Sequence, residues 1–171
     1  MEELWDIYTV DRVKTGRTIG RKYAVEHGME DGDFHVVIEI WTMNSRGQVL
    51  LTQRHPDKAF GGMWECTGGA VQAGEDSLSA AVRELSEETG IAAEPSELTL
   101  LGTVYTGPII IDSYLVHKDA ELSQLHLQPE EVIGAQWVEI EQLDEMWEQG
   151  ILAPTAVKRL DLYREKILEK L

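Results

Sequence analysis

The sequence predicts a single α/β domain in which strands alternate with helices. Runs of β-branched and aromatic residues, bounded by turn residues, are separated by two or three segments with the spacing of an amphipathic helix. A chain of 171 residues with 43% hydrophobic content fits one domain with a full core, and no linker, repeat or low-complexity tract divides it. Alternation of this kind favours a sheet covered by helices.

The composition excludes several classes of function. The chain has 31 acidic and 15 basic residues, a net charge of −16. We therefore expect neither nonspecific nucleic-acid binding nor binding to an anionic membrane, since both need clustered Lys and Arg. The single cysteine, Cys66, excludes an intrachain disulfide framework. No signal peptide and no bilayer-spanning apolar run is recognisable, so we expect a cytoplasmic protein.

The N-terminal part of the chain is predicted to be mainly β-structure. Residues 1–22 are expected to form a hairpin or an extended arm, and they carry five of the fifteen basic residues. Strands are predicted at 35–42 and 49–53, paired across a turn at 44–47. The second strand leads into Arg54, whose guanidinium fork suits phosphate oxygens and makes it a candidate substrate-binding residue. The alternative for Arg54 is an ordinary surface strand end.

An amphipathic helix follows in the middle of the chain. Asp76 or Ser77 is expected to cap its start, because their side-chain oxygens can accept from free backbone N–H groups. Gly90 is expected to end it by adopting the left-handed conformation. Apolar residues recur at spacings of three and four and predict one stripe for a core: Leu78, Ala81, Val82 and Leu85.

The C-terminal part is predicted to contain three strands and two helices. The strands are expected at 98–105, 109–116 and 135–140, and a helix at 141–149. Pro154 opens the last helix, expected over 154–171. Its apolar face is predicted to contain Val157, Leu160, Tyr163, Ile167 and Leu168.

Three glutamates crowd the polar side of the middle helix. Glu84, Glu87 and Glu88 are spaced i, i+3 and i+4, so each pair is expected to repel by roughly 1–3 kcal/mol. Arg83 is expected to relieve one pair only, whereas a divalent cation such as Mg²⁺, which prefers oxygen ligands, would relieve all of them. The alternative is a solvated acidic face. The preceding 68–69 glycine pair, expected to be a flexible turn, allows close approach of a ligand or metal and favours the cation.

These residues belong to a longer pattern with fixed gaps. Gly69 is followed by five residues, Glu75, seven residues and the segment RELSEETGI at 83–91. The pattern resembles the Nudix box of the Nudix hydrolases at every specified position, and weaker similarity covers most of residues 1 to about 150. The resemblance implies one Nudix domain over 1–171, a Nudix-type α/β/α sandwich with a mixed β-sheet. It also implies a hydrolase that cleaves a pyrophosphate linkage in a nucleoside diphosphate joined to another group, with Mg²⁺ or Mn²⁺ as cofactor.

The acidic cluster and the resemblance together suggest roles for single residues. The metal ligands are expected to be Glu84, Glu87, Glu88 and the backbone carbonyl of Gly68. The catalytic residues are expected to be Glu84, Glu87, Arg83 and, from outside the box, Glu131, with Glu130 a weaker candidate. Gly69 is expected to contact substrate, and Glu75 and Gly90 to stabilise the motif. A solvated loop is the alternative for Glu131.

Two other functions are weighed against the hydrolase. The first is an isopentenyl-diphosphate isomerase, to which Asp33-Phe34-His35 and the following strand are similar. That enzyme requires a cysteine and a histidine at the places held here by Gly69 and Val71, and Cys66 comes too early. The second is a noncatalytic nucleotide-binding module, in which we would expect carboxylates of the box to be missing. The substrate, the general base, the number of metal ions and the oligomeric state stay open, a homodimer through the arm or last helix being one expectation.

Overall fold

A computed structural model describes residues 2–169 as a seven-stranded mixed sheet with helices packed against it and a separate two-stranded hairpin. The nine strands are β1 (Leu4–Tyr8), β2 (Lys14–Gly20), β3 (His35–Met43), β4 (Val49–Arg54), β5 (Trp64–Glu65), β6 (Thr67–Ala70), β7 (Thr99–Thr106), β8 (Ile109–His117) and β9 (Val132–Val138). The four α-helices are α1 (Arg21–His27), α2 (Ser77–Thr89), α3 (Gln142–Glu148) and α4 (Pro154–Leu168). This arrangement confirms the predicted α/β class.

Strand β3 lies at the centre of the sheet, whose order is β5-β4-β3-β8-β7. It runs parallel to β8 along its whole length and antiparallel to β6, so the sheet is mixed, as predicted. The predicted pairing of β3 with β4 is limited to one position, Met43 opposite Val49. β6 occupies the rest of that edge of β3, and β4 pairs instead with β9.

Two hydrophobic clusters cover the opposite faces of the sheet. Alternate residues of β3 point to different clusters, as the two-residue period of a strand requires. Ile38 and Ile40 pack with Leu85 of α2 on one face, whereas Trp41 packs with Leu143 of α3 on the other. The layers are therefore helix, sheet and helix. No helix in residues 2–169 has the length and apolar content needed to cross a membrane.

The N-terminal arm is packed on the body. β1 and β2 form an antiparallel hairpin, one of the two forms expected for residues 1–22, and Trp5 and Tyr8 are buried. The ring of Trp5 stacks on that of His35 with centroids 4.2 Å apart. Helix α1 begins at Arg21, inside the range predicted as hairpin or arm, and was not predicted.

The turn of the hairpin is anchored by an ion pair. Arg12 adopts a positive φ of 61° and donates from both Nη atoms to Asp112 of β8, with Nη1 to Oδ1 at 2.7 Å. Asp112 is 1% exposed and also accepts from Thr103 and Ser77. Burial alone would raise the pKa of Asp112, but the hydrogen bonds from Arg12, Ser77 and Thr103 together hold it below its usual value. The hairpin thus depends on a buried charged contact far away in sequence.

Helix α4 partly matches the predicted apolar face. Tyr163 and Ile167 are buried, whereas Leu168 is exposed, so its place in the predicted core is wrong. The side chains of Val157 and Leu160, and residues 170–171, lie outside the part of the chain that the structure describes.

Candidate active site

The glycine pair lies in a strand and not in the predicted turn. Gly68 and Gly69 belong to β6, where they face Glu39 and Ile38 of β3. A Cβ added to Gly68 would lie 2.7 Å from the carbonyl oxygen of Ile38, and one added to Gly69 would overlap the carboxylate of Glu84. The absence of side chains here lets the strand approach both β3 and the box helix.

Helix α2 has the predicted ends. Asp76 Oδ1 accepts from the backbone N of Ser79 at 2.7 Å and caps the first turn. Gly90 follows the last turn with φ of 77°, and its N–H donates to the carbonyl of Ser86 at 2.9 Å. Ala81 and Leu85 are fully buried against the sheet, and Glu84 and Glu88 lie next to them on the side of the helix that faces β6.

Arg83 contacts more of the acidic cluster than the sequence suggested. Its Nη1 donates to Glu84 at 2.7 Å and to Glu87 at 3.0 Å, while its Nε donates to Glu75 at 2.7 Å. Arg83 thus bridges one pair of box glutamates, Glu84 and Glu87, and its additional partner is Glu75 of the preceding loop. Hydrogen bonding from Arg83 lowers the pKa of Glu75, which fixes this motif residue as the charged partner of the guanidinium.

Glu88 is the box carboxylate that Arg83 does not reach. It is 8% exposed, and none of the Lys and Arg side chains that the structure describes pairs with it. Burial, followed by the charge of Glu84, raises the pKa of Glu88 well above its usual value. Burial also raises the pKa of Glu84, whereas the side chain of Glu87 is half-exposed. The buried Glu88 without a described cation, and the partly buried Glu84 with Arg83 as its one described cation, leave this region short of positive charge.

The donor set fits a hard divalent cation. Glu84, Glu87, Glu88 and Gly68 line one cavity and offer only oxygen ligands, which Mg²⁺ prefers. In the side-chain positions described, no three His, Cys, Asp or Glu residues are grouped closely enough to hold a metal ion. Arg83 occupies the space between Glu84 and Glu87, so a cation would need these contacts to rearrange. The metal ligands stay a prediction.

The cavity has two lobes that meet at β6. The acidic lobe, about 370 Å³, contains Arg83 and the three box glutamates Glu84, Glu87 and Glu88. The basic lobe, about 330 Å³, contains Arg54, Lys58 and Arg159. The wall shared by both lobes includes Arg21, Gly68, Gly69, Glu88 and Glu131. The structure thus brings every predicted metal, catalytic and substrate residue to one cavity, while Glu75 and Gly90 support it from outside.

Carboxylates already neutralise the cations of the basic lobe. Arg54 is paired with Glu65 and Lys58 with Glu131. Burial raises the pKa of Glu65 in spite of its contact with Arg54. Glu131 therefore reaches the cavity as predicted, but as the partner of a lysine, whereas Glu130 is exposed.

The sequence analysis missed three cationic residues of this cavity. Arg21, Lys58 and Arg159 line it, and each comes from a different part of the chain. Because so acidic a protein has few basic residues, each of them was a candidate for binding an anionic ligand, and this was the signal that the sequence offered. Their convergence depends on the packing of α1, the 55–63 loop and α4, which no local pattern predicts.

We expect Arg83→Lys to destabilise the protein by about 1–3 kcal/mol, because one ammonium cannot replace a fork that contacts Glu75, Glu84 and Glu87. Urea unfolding at pH 7 measures the effect. Arg46→Lys is the control, since Arg46 is exposed and donates only to Gln48 in the described chain. The folded pKa of Glu75 is lowered, so its contribution is present above the unfolded pKa near 4.3 and is lost as the pH falls through the lower folded value. Equal unfolding midpoints for the two variants would contradict this role.

Comparison with known proteins gives consistent matches. A sequence model of the NUDIX domain matches residues 33–157, more than half of the chain. An uncharacterized Nudix hydrolase of Listeria monocytogenes is 34% identical over 158 residues, which cover 90% of this chain and 89% of that protein. An isopentenyl-diphosphate Delta-isomerase of Streptomyces coelicolor is 30% identical over 165 residues, covering 91% and 83%.

Solved structures share the fold. A protein of Deinococcus radiodurans superposes with a TM-score of 0.74 at 23% identity, over 95% of this chain and 98% of that one. The NUDIX domain of Shewanella oneidensis NrtR, solved with ADP ribose, superposes with a TM-score of 0.65 at 17% identity, over 87% and 99%. At these identities the likeness concerns the fold alone.

Proposed function

The chain belongs to the Nudix hydrolase family, and we propose that it hydrolyses a pyrophosphate linkage in a nucleoside diphosphate joined to another group, with Mg²⁺ or Mn²⁺ as cofactor. The observation that carries the proposal is the position of Glu84 and Glu88, a partly buried and a buried carboxylate held against the Gly68–Gly69 strand next to a lobe lined by four cationic side chains. Family membership confirms the resemblance found in the box.

A cation held by Glu84, Glu87, Glu88 and the carbonyl of Gly68 would neutralise the charge of the diphosphate and favour attack by water. The protein itself would orient the substrate. Arg54 and Lys58 offer donors to phosphate oxygens from the basic lobe.

The remaining chemistry is a proton transfer and a bond exchange. Glu131 lies in the wall shared by both lobes, where a released Lys58 would free it to take the proton of the attacking water. The water oxygen bonds to phosphorus as the bridging P–O bond breaks, and the products are a phosphate monoester and the other half of the substrate. Glu84 and Glu87 are the other candidates for the base.

A nucleotide-like small molecule is the proposed substrate class. A fold relative was solved with ADP ribose, a nucleoside diphosphate joined to a sugar. The two lobes accommodate such a molecule if its diphosphate lies beside the residues that line both lobes and the attached group extends into one of the lobes.

Turnover of a nucleotide panel tests the proposal. The panel contains nucleoside diphosphates and triphosphates, ADP ribose, nucleotide sugars and dinucleoside polyphosphates, with Mg²⁺, Mn²⁺ or EDTA. We expect metal-dependent release of a phosphate monoester, lost in Glu87→Gln. Equal activity in that variant, or turnover in EDTA, would overturn the assignment. Tight binding with no turnover would instead indicate a noncatalytic module, against which the complete set of box carboxylates argues.

Isomerase activity is the second candidate, because an isomerase is among the relatives at 30% identity. The catalytic cysteine and the metal-binding histidine implied by that resemblance would fall at Gly69 and Val71. Neither side chain can act as a thiol or imidazole. We therefore expect no conversion of isopentenyl diphosphate, and detection of dimethylallyl diphosphate would reverse this conclusion.

A further inference from the structure

Helix α4, which lies outside the box at 69–91, places Arg159 in the basic lobe. Arg159 Nε donates to a carboxylate oxygen of Glu39, in the middle of β3. Glu39 is 2% exposed, and its other oxygen accepts from Ser113 Oγ at 2.5 Å. Cys66 Sγ lies 3.9 Å from the oxygen that Arg159 uses. The carboxylate of Glu39 is therefore held from several sides and fixes the arginine in turn.

The guanidinium of Arg159 retains free donor capacity. In the described part of the chain Glu39 is its only carboxylate partner, and neither Nη atom has a protein acceptor within hydrogen-bond distance. Its side chain is 17% exposed and lines the basic lobe together with Arg54 and Lys58. Arg54 is paired with Glu65 and with the carbonyl of Ala59, and Lys58 is paired with Glu131, so Arg159 has more donors left for a ligand than either of these two residues.

The position of Arg159 indicates which part of a ligand it reaches. It lines the basic lobe and not the acidic lobe, so it lies on the far side of β6 from Glu84 and Glu87. None of the described residues that line the basic lobe is aromatic, which removes the usual stacking platform for a base. Three further cations line this lobe, Arg21, Arg54 and Lys58, and together with the unused donors of Arg159 they suit phosphate oxygens.

We propose that Arg159 is a substrate-binding residue that donates hydrogen bonds to phosphate oxygens on the side of the scissile linkage away from the box helix, and that Glu39 is its positioning residue. The inference rests on the proposed hydrolase function. It adds a residue of the C-terminal helix that influences substrate specificity. The carboxylate of Glu39, at the centre of the sheet, holds this residue in position.

The test compares Arg159→Ala and Arg159→Lys with Arg164→Ala. Arg164 is on the same helix but pairs with Asp144 of α3 and does not line the cavity. We expect KM for the best substrate of the panel to rise about 10–100-fold in Arg159→Ala, with a smaller rise in Arg159→Lys, because charged hydrogen bonds are lost. kcat should change less than threefold, and Arg164→Ala should match the wild type. Glu39→Gln should shift KM in the same direction, since it weakens the positioning contact.

Stability is controlled separately. Arg159→Ala leaves Glu39 buried without its cation, and this alone could unfold the chain. The double variant Glu39→Gln/Arg159→Gln removes both charges and carries the same expected rise in KM. KM values within twofold of the wild type in folded Arg159 variants overturn the inference.

Binding of a nonhydrolysable analogue separates this inference from the function itself. Calorimetry with α,β-methylene-ADP and Mg²⁺ should show affinity in the wild type and a loss of at least tenfold in Arg159→Ala. Binding by the wild type without turnover of the panel overturns the hydrolase proposal while the variant still decides the role of Arg159. No binding by the wild type, together with no turnover of the panel, overturns both.

Discussion

Replacing Glu88 by glutamine should reduce turnover with Mg²⁺ by about 10²–10⁴-fold and leave the fold intact. Glu88 is buried and lacks a cationic partner in the described chain, so its charge is useful only to a bound cation. Glutamine preserves the shape but removes that charge, and the electrostatic contribution of a catalytic metal is several kcal/mol. The kcat at saturating Mg²⁺ measures the effect.

Melting curves give an independent reading of the same variant. Mg²⁺ should raise the Tm of the wild type by binding the folded state, and this rise should be absent in Glu88→Gln. Without metal, the variant should melt at the same temperature or higher, because an unpaired buried charge has been removed. Glu148→Gln, on the exposed end of α3, should behave as the wild type in both assays. A Glu88 variant that keeps more than a tenth of wild-type kcat would exclude this residue as a ligand.

Arg12→Ala should destabilise the protein by about 1–3 kcal/mol. The change leaves Asp112, 1% exposed, without its cation, and breaking a buried pair costs about 3–5 kcal/mol. The lower range applies because the side chain of Arg12 is 34% exposed and water screens part of the interaction. In Arg12→Ala/Asp112→Asn the buried charge is gone, so much of the loss should be recovered. Urea unfolding of the two single variants and the double variant gives the coupling energy.

The ion pair of Arg12 and Asp112 also makes the stability of the protein depend on pH, in a direction that follows from the pKa shift. The folded pKa of Asp112 is lowered, so its stabilising contribution is present above the unfolded value near 3.9 and is lost as the pH falls through the folded value. The wild type should therefore exceed Asp112→Asn in stability at pH 7, and the difference should shrink at about pH 3. A difference that is the same at both pH values would show that the charge of Asp112 does not stabilise the hairpin.

Local signals predicted the box helix and its ends. The cap at Asp76, the left-handed Gly90 and the buried stripe through Ala81 and Leu85 depend on residues within one or two turns. Sheet pairing depends on distant residues, so the pairing of β6, and not β4, with most of that edge of β3 could not be predicted from the sequence. Helix α1 was missed for a different reason, since it has seven residues, no side-chain cap and one buried residue, Ala24.

In the candidate site, too, local features could be predicted from the sequence and long-range contacts could not. The spacing of Glu84, Glu87 and Glu88 is local and was found, whereas the partners that modify them come from elsewhere in the chain. Lys58 on Glu131 and Arg159 on Glu39 join segments that only the folded chain brings together. The single domain over 1–171, the cytoplasmic location, the homodimer and the metal ligands stay predictions.

The contact between Gly69 and Glu84 restricts how this protein can evolve. A cysteine at position 69, which the isomerase resemblance requires, would overlap the carboxylate of Glu84 and force it from its place beside the strand. That one substitution would damage the hydrolase arrangement without supplying the histidine that the other chemistry needs at Val71. We therefore expect Gly69→Cys to displace the Glu84 carboxylate without producing isomerase activity.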